Sequence, residues 1–447
     1  MAVRALATIA VSISMARVFP FRALRYDSRK VSPADVLTQP YDKITPEMQE
    51  RYYQLSPYNL VRIELGHSQA SDNERDNVYI RAAAFFREWR DQGVLLPDPE
   101  PSMYAYWQRF RVPGNEAEQE RRGVIVAGAL EDYGRGVVFR HEQTHSAPKA
   151  DRLNLLRATG AYFGQLFLLY GDPEREIDAV LEPKQEPDVT LRDEYGVEHR
   201  LWRIADPGVI QCVQRKLADK PLIIADGHHR YETALQYRDE QRAANPKAGP
   251  DAPFERTMMT LVNMDAPGLV ILPTHRVIHG LERFHTEDLI RGARAWFDIH
   301  GVSQEPLEPS RAVRLLAEAG QEETAVLAAT SQGSFLLRAR AGAVKETLQG
   351  IPARQRALDV VQVHKLLIER VLGVSEEQVR ALEHVRYVRD AGTALSEVQR
   401  DANVAFLMNP VRMEQVRDIA LAGEVLPQKS TDFYPKLLSG LTIYALD

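Results

Sequence analysis

The stretch from Lys220 to Arg242, KPLIIADGHHRYETALQYRDEQR, restricts the fold more than any other part of the chain. Leu222 to Ala225 are apolar without alternation, the pattern of a strand covered on both faces. The Asp226-Gly227 pair ends that run, and glycine permits a turn conformation that other residues resist. An amphipathic helix follows, with Tyr231, Ala234 and Leu235 at helical spacing. A doubly covered strand that runs into a helix needs a sheet with other elements packed on it. The expectation is an α/β or α+β fold with mixed sheets.

The same alternation recurs elsewhere. Val18 to Ala23 reads as a short first strand, and Thr45-Pro46-Glu47 opens a helix with Thr45 as N-cap. NLVRIEL (Asn59 to Leu65) reads as a strand, and Asn73 to Gln92 as a helix stopped at Gly93. SMYAYWQRFRV and RGVIVAGAL are expected as strands around a polar loop, Asp151 to Thr159 as a helix, and GQLFLLYG as a buried strand. EYGVEHRLWRI has the look of an edge strand, and strands are expected at Arg256 to Asn263 and Leu269 to Leu272. Further on, AVLAAT and GSFLLRAR form a strand pair, and VAFLMNP is a buried strand. Helices are expected at Asp359 to Leu372, Ser375 to Leu382 and Val411 to Ala422. The pattern places a boundary near residue 280, giving a catalytic domain over 15–280 and a C-terminal α/β domain over 281–447. Met15 reads as the initiator, with residues 1–14 a non-native extension.

Composition narrows the function. At 447 residues the chain can hold two or three domains, and no apolar run approaches the roughly 20 residues of a membrane helix. A net charge of -6 gives no general basic surface for nucleic acid, so no nucleic-acid partner and no membrane are expected. A local basic pocket for a phosphorylated metabolite or nucleotide remains compatible with that charge. The single cysteine, Cys212, excludes an intrachain disulfide and a Cys-rich zinc ribbon, and a cytoplasmic setting is expected.

Two motifs carry chemistry. HEQTH (His141 to His145) matches the H-E-x-x-H pattern, in which a zinc protease places both His on one helical face beside a Glu base. The preceding GRGVVFR favours a strand, and Pro148 would interrupt a helix continuing the motif. At a strand end, His141 and Glu142 would instead project into a site, where a carboxylate acts as a base or holds a cation. The second motif, IADGHHRYETA, puts His228, His229 and Arg230 on the first turn of a helix. Helix N-termini attract anions through unpaired N–H groups and the helix dipole, so a phosphate is the favoured ligand. The alternative is that Asp226 only caps the helix and the His pair is solvated. No P-loop is present. PTHR and PQKSTDFYPK add His275, Arg276, Lys429, Ser430, Thr431 and Lys436, either as supplements to a phosphate pocket or as surface turns.

The blocks FPFRALRYD, QPYDKI, HEQTH…PKADRLNLLRATG, IADGHHRYETAL, LPTHRV and PQKSTDFYPKLLSG resemble the successive blocks of a widespread prokaryotic domain-of-unknown-function family, from Met15 onward. The ADGHHR block is in turn similar to the motif of the ParB/sulfiredoxin superfamily, which includes ParB, sulfiredoxin and a free serine kinase. That resemblance implies a ParB/sulfiredoxin-like core elaborated by insertions. It implies that Gly227, His229 and Arg230 contact nucleotide phosphates, with Asp226 and His228 beside the transferred group. It further implies a carboxylate from elsewhere that activates the acceptor, for which Glu142 and then Glu64 are the candidates. Tyr41, Asp42, Glu64, His141 and His145 are the candidate substrate contacts. The absence of a cysteine beside the His-Arg pair counts against sulfinic-acid chemistry, and the lack of a helix-turn-helix counts against a ParB-like role. The family's association with serine biosynthesis genes implies a serine or phosphoserine substrate. The resulting expectation is a phosphoryl-transfer enzyme, either a kinase using ATP or ADP or a phosphatase, with Mg²⁺ as the implied cation and no metal ligands assigned. A nucleotide-binding regulatory module is the alternative, and a zinc hydrolase the third reading.

Overall fold

The computed structural model describes residues 15–142, 146–321 and 323–447; the N-terminal stretch 1–14 and His145 lie outside the described residues. Two large sheets organise it, and the fold is a mixed α/β one.

In the first sheet eight strands run in the order Val138–Phe139, Leu222–Asp226, Leu166–Tyr170, Arg256–Asn263, Glu118–Ala129, Met103–Arg111, Glu198–Ile204 and Val189–Arg192, and Val18–Phe19 pairs onto Glu118–Ala129. Leu222–Asp226 is parallel to Val138–Phe139, and Arg256–Asn263 is parallel to Leu166–Tyr170. The other pairings are antiparallel. Leu222 and Ile224 join a cluster with Val213 and Leu217 of the helix Pro207–Leu217 and Tyr231 and Ala234 of the helix His228–Ala244. Ile223 and Ala225 belong instead to the cluster that contains Phe433, Leu437 and Leu441. The strand is covered on both faces, as its unbroken apolar run demands. On that second side the cluster joins Val416, Ile419 and Ala420 of the helix Met413–Leu421, which contacts the strand, to the extended C-terminal segment.

The second sheet is antiparallel throughout, in the order Phe297–Ser303, Gly333–Ala339, Ala325–Thr330, Ala402–Met408, His275–His279 and Val385–Val388. Alternate residues face opposite ways along each strand. Val277, Leu327 and Leu407 pack on the helices Pro309–Ala319 and Ala391–Val398, while Val326, Val404 and Phe406 pack on Val363–Val371 and Met413–Leu421. The chain then returns to the first sheet. Asp432–Tyr434 pairs with Val270–Leu272, and Leu426 bridges to Glu142.

Three local expectations need correction. Asn59–Leu65 is not a strand: Val61–Glu64 is a helical turn, begun by the Asn59 side chain accepting from the Val61 N–H at 3.0 Å. Leu60 and Ile63 then meet Ala82, Phe86 and Trp89, a packing set that a strand could not present together. Val18–Ala23 breaks after Phe19, where Pro20 offers no N–H. Glu198–Ile204 is not the edge; the hairpin partner Val189–Arg192 covers it. Among the described residues no helix is long and apolar enough to cross a membrane.

Candidate active site

Sheet direction explains why distant blocks meet. The strand Leu222–Asp226 ends at Asp226, and its parallel neighbour Val138–Phe139 runs out at the same edge, delivering His141 and Glu142. The region beyond the carboxyl ends of strands is where open α/β sheets form ligand crevices. Here a cleft of about 370 Å³ opens there. Tyr41 and Asp42, Glu142 with Asp226 to Arg230, and Lys429, Thr431 and Lys436 all line it.

Gly227 adopts φ +97°, and the helix His228–Ala244 starts immediately after it with no side chain capping its first turn. A Cβ at Gly227 would sit 2.9 Å from Leu166 Cδ2 and 3.2 Å from Arg230 Nε, so the turn is closed to other residues on two counts. Arg230 donates to the Gln165 carbonyl at 2.5 Å and lies 3.6 Å from Asp226 Oδ2. Lys436 Nζ is 3.7 Å from the same carboxylate oxygen and 3.0 Å from Asp432 Oδ1. Asp432 is also held by Arg389, through Nη2 at 2.8 Å and through Nε, and Lys43 Nζ stands 3.9 Å away.

These neighbours separate the two carboxylates. Burial alone would raise Asp226, but Lys436, Arg230 and Lys43 outweigh it and hold the group well below the usual carboxylate range. Burial raises Glu142, opposed by the Lys429 N–H that donates to its Oε1 at 2.9 Å and by the Lys429 charge. Asp226 therefore stays ionised, while Glu142 is moved toward the range in which a carboxyl exchanges protons. Lys429 makes its bond to Glu142 from a backbone φ of +55°, a region disfavoured for a residue with a side chain. Lys43 is pushed down to about 8, first by burial and then by Lys436.

The histidines divide in the same way. His141 is fully buried, and burial lowers it to about 4, so its ring is neutral. Its Nδ1–H donates to the Ile224 carbonyl at 2.6 Å, and Nε2 accepts the Thr431 hydroxyl at 2.8 Å. Both ring nitrogens are thus engaged, and His141 with Glu142 follows a strand rather than lying on a helix, unlike the zinc-protease arrangement. His228 is also buried, its pKa lowered by burial and by His141, and its Nε2 accepts from the His141 N–H at 3.4 Å. It lines the cleft as a neutral ring, so of the three cation-capable residues on the first turn His228 contributes no charge. His229 lines the cleft beside it.

Several expected residues stand one layer back. His275 is buried, with Nδ1 accepting from the Met408 N–H at 3.2 Å. Arg276 donates through Nε to His364 Nε2 at 3.0 Å and through Nη2 to the Gln428 and Lys429 carbonyls at 3.4 and 3.2 Å. It braces the 427–431 loop from behind instead of facing the cleft. The Ser430 hydroxyl turns inward to the Pro427 carbonyl at 2.5 Å. Glu64 lies in a smaller adjoining cavity that shares Arg230 with the cleft. Sequence reading missed Lys43, Thr274, Tyr387, Arg389 and Asp432, all of which line the cleft. Lys43 and Asp432 sit inside QPYDKI and KSTDFYPK, where a search for charge partners would have found them. Tyr387 and Arg389 come from the end of a second-sheet strand and carry no local signal.

The chain matches the family described as protein of unknown function (DUF1015) over residues 18–361, and it belongs to that family. No curated protein matches it. Among solved structures, a free serine kinase in complex with ADP is 12% identical, with 71% of this chain and 92% of that chain covered at a TM-score of 0.36. A conserved hypothetical protein from Pyrococcus furiosus is 13% identical, covering 71% and 95% at a TM-score of 0.34. C-terminally truncated SbnI from Staphylococcus aureus is 11% identical, covering 71% and 87% at a TM-score of 0.34.

Proposed function

We propose that the protein is a phosphoryl-transfer enzyme acting on a small hydroxyl-bearing or phosphorylated metabolite, serine or phosphoserine, with the phosphate held at the N-terminus of the helix His228–Ala244. The observation that carries this reading is the meeting of that uncapped helix terminus with Lys43, Arg230, Lys429 and Lys436 in one cleft. Helix-terminal N–H groups and basic side chains together suit a phosphate more than any other ligand class.

The chain's own groups then divide the work. Arg230 and Lys429 stabilise the negative charge on the transferred group, and Asp226, permanently ionised, keeps Lys436 and Arg230 in place around it. Glu142 takes the proton of the attacking oxygen. In the kinase direction that oxygen is the acceptor hydroxyl, the new P–O bond forms to it, and the bond to the ATP- or ADP-derived leaving group breaks. In the phosphatase direction the attacking oxygen belongs to water and the metabolite's hydroxyl leaves. Among the described residues no group of three or more His, Cys, Asp or Glu is spaced to hold a metal. Mg²⁺ commonly takes only one or two carboxylates and completes its shell with phosphate oxygens and water, and Asp42 is the cleft carboxylate left for that part once Glu142 serves as base and Asp226 and Asp432 are ion-paired. Bound there it would neutralise phosphate charge.

The test is Arg230→Ala. A charged hydrogen bond to phosphate contributes about 1.5–3 kcal/mol, so kcat/KM for the phosphorylated compound should fall by about 10- to 150-fold. Unaltered turnover and KM would show that the phosphate lies elsewhere, and nucleotide binding without any turnover would favour a regulatory module.

A further inference from the structure

Beside the cleft is a second, smaller hollow of about 50 Å³ between the helical turn Val61–Glu64, the helix Ser146–Thr159 and Gly164. A single water needs roughly 10–15 Å³ measured this way, so the space admits a small group of several atoms. Three charged residues line it: Arg230, shared with the cleft, and two deeply buried ones, Glu64 at 5% and Arg152 at 8% exposure. Each of the latter two leaves one polar atom without a hydrogen-bond partner, Glu64 Oε2 and Arg152 Nη1.

The rest of both side chains is tied down. Arg152 donates through Nε and Nη2 to Asp151 Oδ2 at 2.8 and 2.6 Å, and its guanidinium lies 4.2 Å from the centre of the Tyr41 ring. Asp151 is itself fixed by the Tyr79 hydroxyl at 2.9 Å. Glu64 is hydrogen-bonded by Ser439. A Cβ at Gly164 would come within 3.2 Å of Glu64 Oε1 and of Arg230 Nη1, so the glycine keeps this corner open. A buried acceptor and a buried donor of opposite charge, each one bond short and not bonded to each other, are costly unless a ligand completes them.

We propose that Glu64 and Arg152 form a subsite for a zwitterionic head group, with an ammonium donating to Glu64 Oε2 and a carboxylate accepting from Arg152 Nη1. Arg230 borders both this cavity and the phosphate cleft. A ligand whose head lies between Glu64 and Arg152 therefore extends its side chain toward the helix terminus. That defines the substrate class by chemistry: a small α-amino acid carrying a hydroxyl or phosphoester on a short side chain. The inference rests on the phosphoryl-transfer reading for the tail of that molecule, and on the two orphaned atoms for its head.

The experiment is calorimetric titration of the full chain with O-phosphoserine, with O-phosphoethanolamine, which lacks the carboxylate, and with inorganic phosphate. The expected result is a preference for O-phosphoserine of about tenfold or more, the effect of one charge-assisted hydrogen bond, and its collapse to a ratio near one in Arg152→Gln. Equal affinities in the wild type, or a preference that survives in folded Arg152→Gln, would overturn the subsite and mean that the cavity holds only solvent. Equal affinities that both weaken in Arg230→Ala would do so while leaving the phosphate cleft standing. Failure of all three compounds to bind would overturn both readings. Should Arg152→Gln not fold, Glu64→Gln serves: its preference for O-phosphoserine over 3-phosphoglycerate, which replaces the ammonium by a hydroxyl, should vanish, and its persistence would refute the assignment.

Discussion

Lys43 pays for its position in the cleft with stability, and replacing it by methionine measures how much. Burial pushes its pKa down from 10.5 to about 8, with Lys436 and Arg389 adding to the fall and Asp432 and Asp42 only partly offsetting it. At about 1.4 kcal/mol per tenfold, that shift sets an upper bound of about 3 kcal/mol on the cost of keeping the ammonium charged in the folded protein. Methionine retains the length and apolar stem of lysine, and Asp432 keeps Arg389 and, at 3.0 Å, Lys436. Lys43→Met should therefore stabilise the ligand-free protein at pH 7 by about 1–3 kcal/mol. The sign follows from proton counting. Below pH 8 the lysine is charged in both states and the folded state bears the whole cost. Between pH 8 and about 10.5 the unfolded chain holds more protons, so wild-type stability rises and the gap to the variant closes. Urea denaturation of both proteins from pH 7 to pH 10 reads the gap directly, because other titrating groups cancel in the difference. The same variant should bind phosphate more weakly, since one cation has left the cleft. A variant less stable than wild type at pH 7, or a gap that does not change with pH, would refute the reasoning.

Two further perturbations probe residues lining the cleft. Gly227→Ala forces a side chain onto a backbone at φ +97° and drives its Cβ against Leu166 and Arg230, so it should cost about 1–3 kcal/mol and weaken phosphate binding together. An unchanged urea midpoint would show that the turn is not constrained. Glu142→Gln keeps an oxygen to accept the Lys429 N–H but cannot exchange a proton, so turnover should fall by about 10²–10⁴ while ligand binding persists. Because burial raises Glu142, the acidic limb of the wild-type pH–rate profile should be displaced upward from that of an exposed glutamate. Wild-type turnover in Glu142→Gln would remove it from the chemistry.

How much of this was legible depended on whether the signal was local. Leu222 to Arg230 announced strand, turn and helix because burial on both faces, a turn-permitting glycine and helical spacing all act within a few residues. NLVRIEL misled because a short apolar run satisfies either period, and a side-chain bond from Asn59 decided the matter. The error had a functional side: the helical turn is what brings Glu64 to the second cavity. His275 and Arg276 look alike in sequence whether they face a ligand or a neighbouring loop, and only burial distinguishes the two. Arg152 gave no signal at all, since its setting arises from the placement of Tyr41 and Glu64, more than eighty residues away in sequence.

The extended segment through Lys429–Lys436 has a consequence for how the protein comes into being. A ribosome releases the strand Leu222–Asp226 and its helix long before the segment that helps cover the strand's other face and supplies Thr431, Asp432 and Lys436 to the cleft. Until those residues emerge, Ile223 and Ala225 lack Phe433, Leu437 and Leu441 from their cluster, and the charged groups around Asp226 lack Lys436. A nascent chain, or a fragment clipped ahead of residue 429, therefore has most of a scaffold and no finished pocket. The cleft is therefore completed late in synthesis, and on the proposed reading phosphate binding would report whether the C-terminal segment has docked.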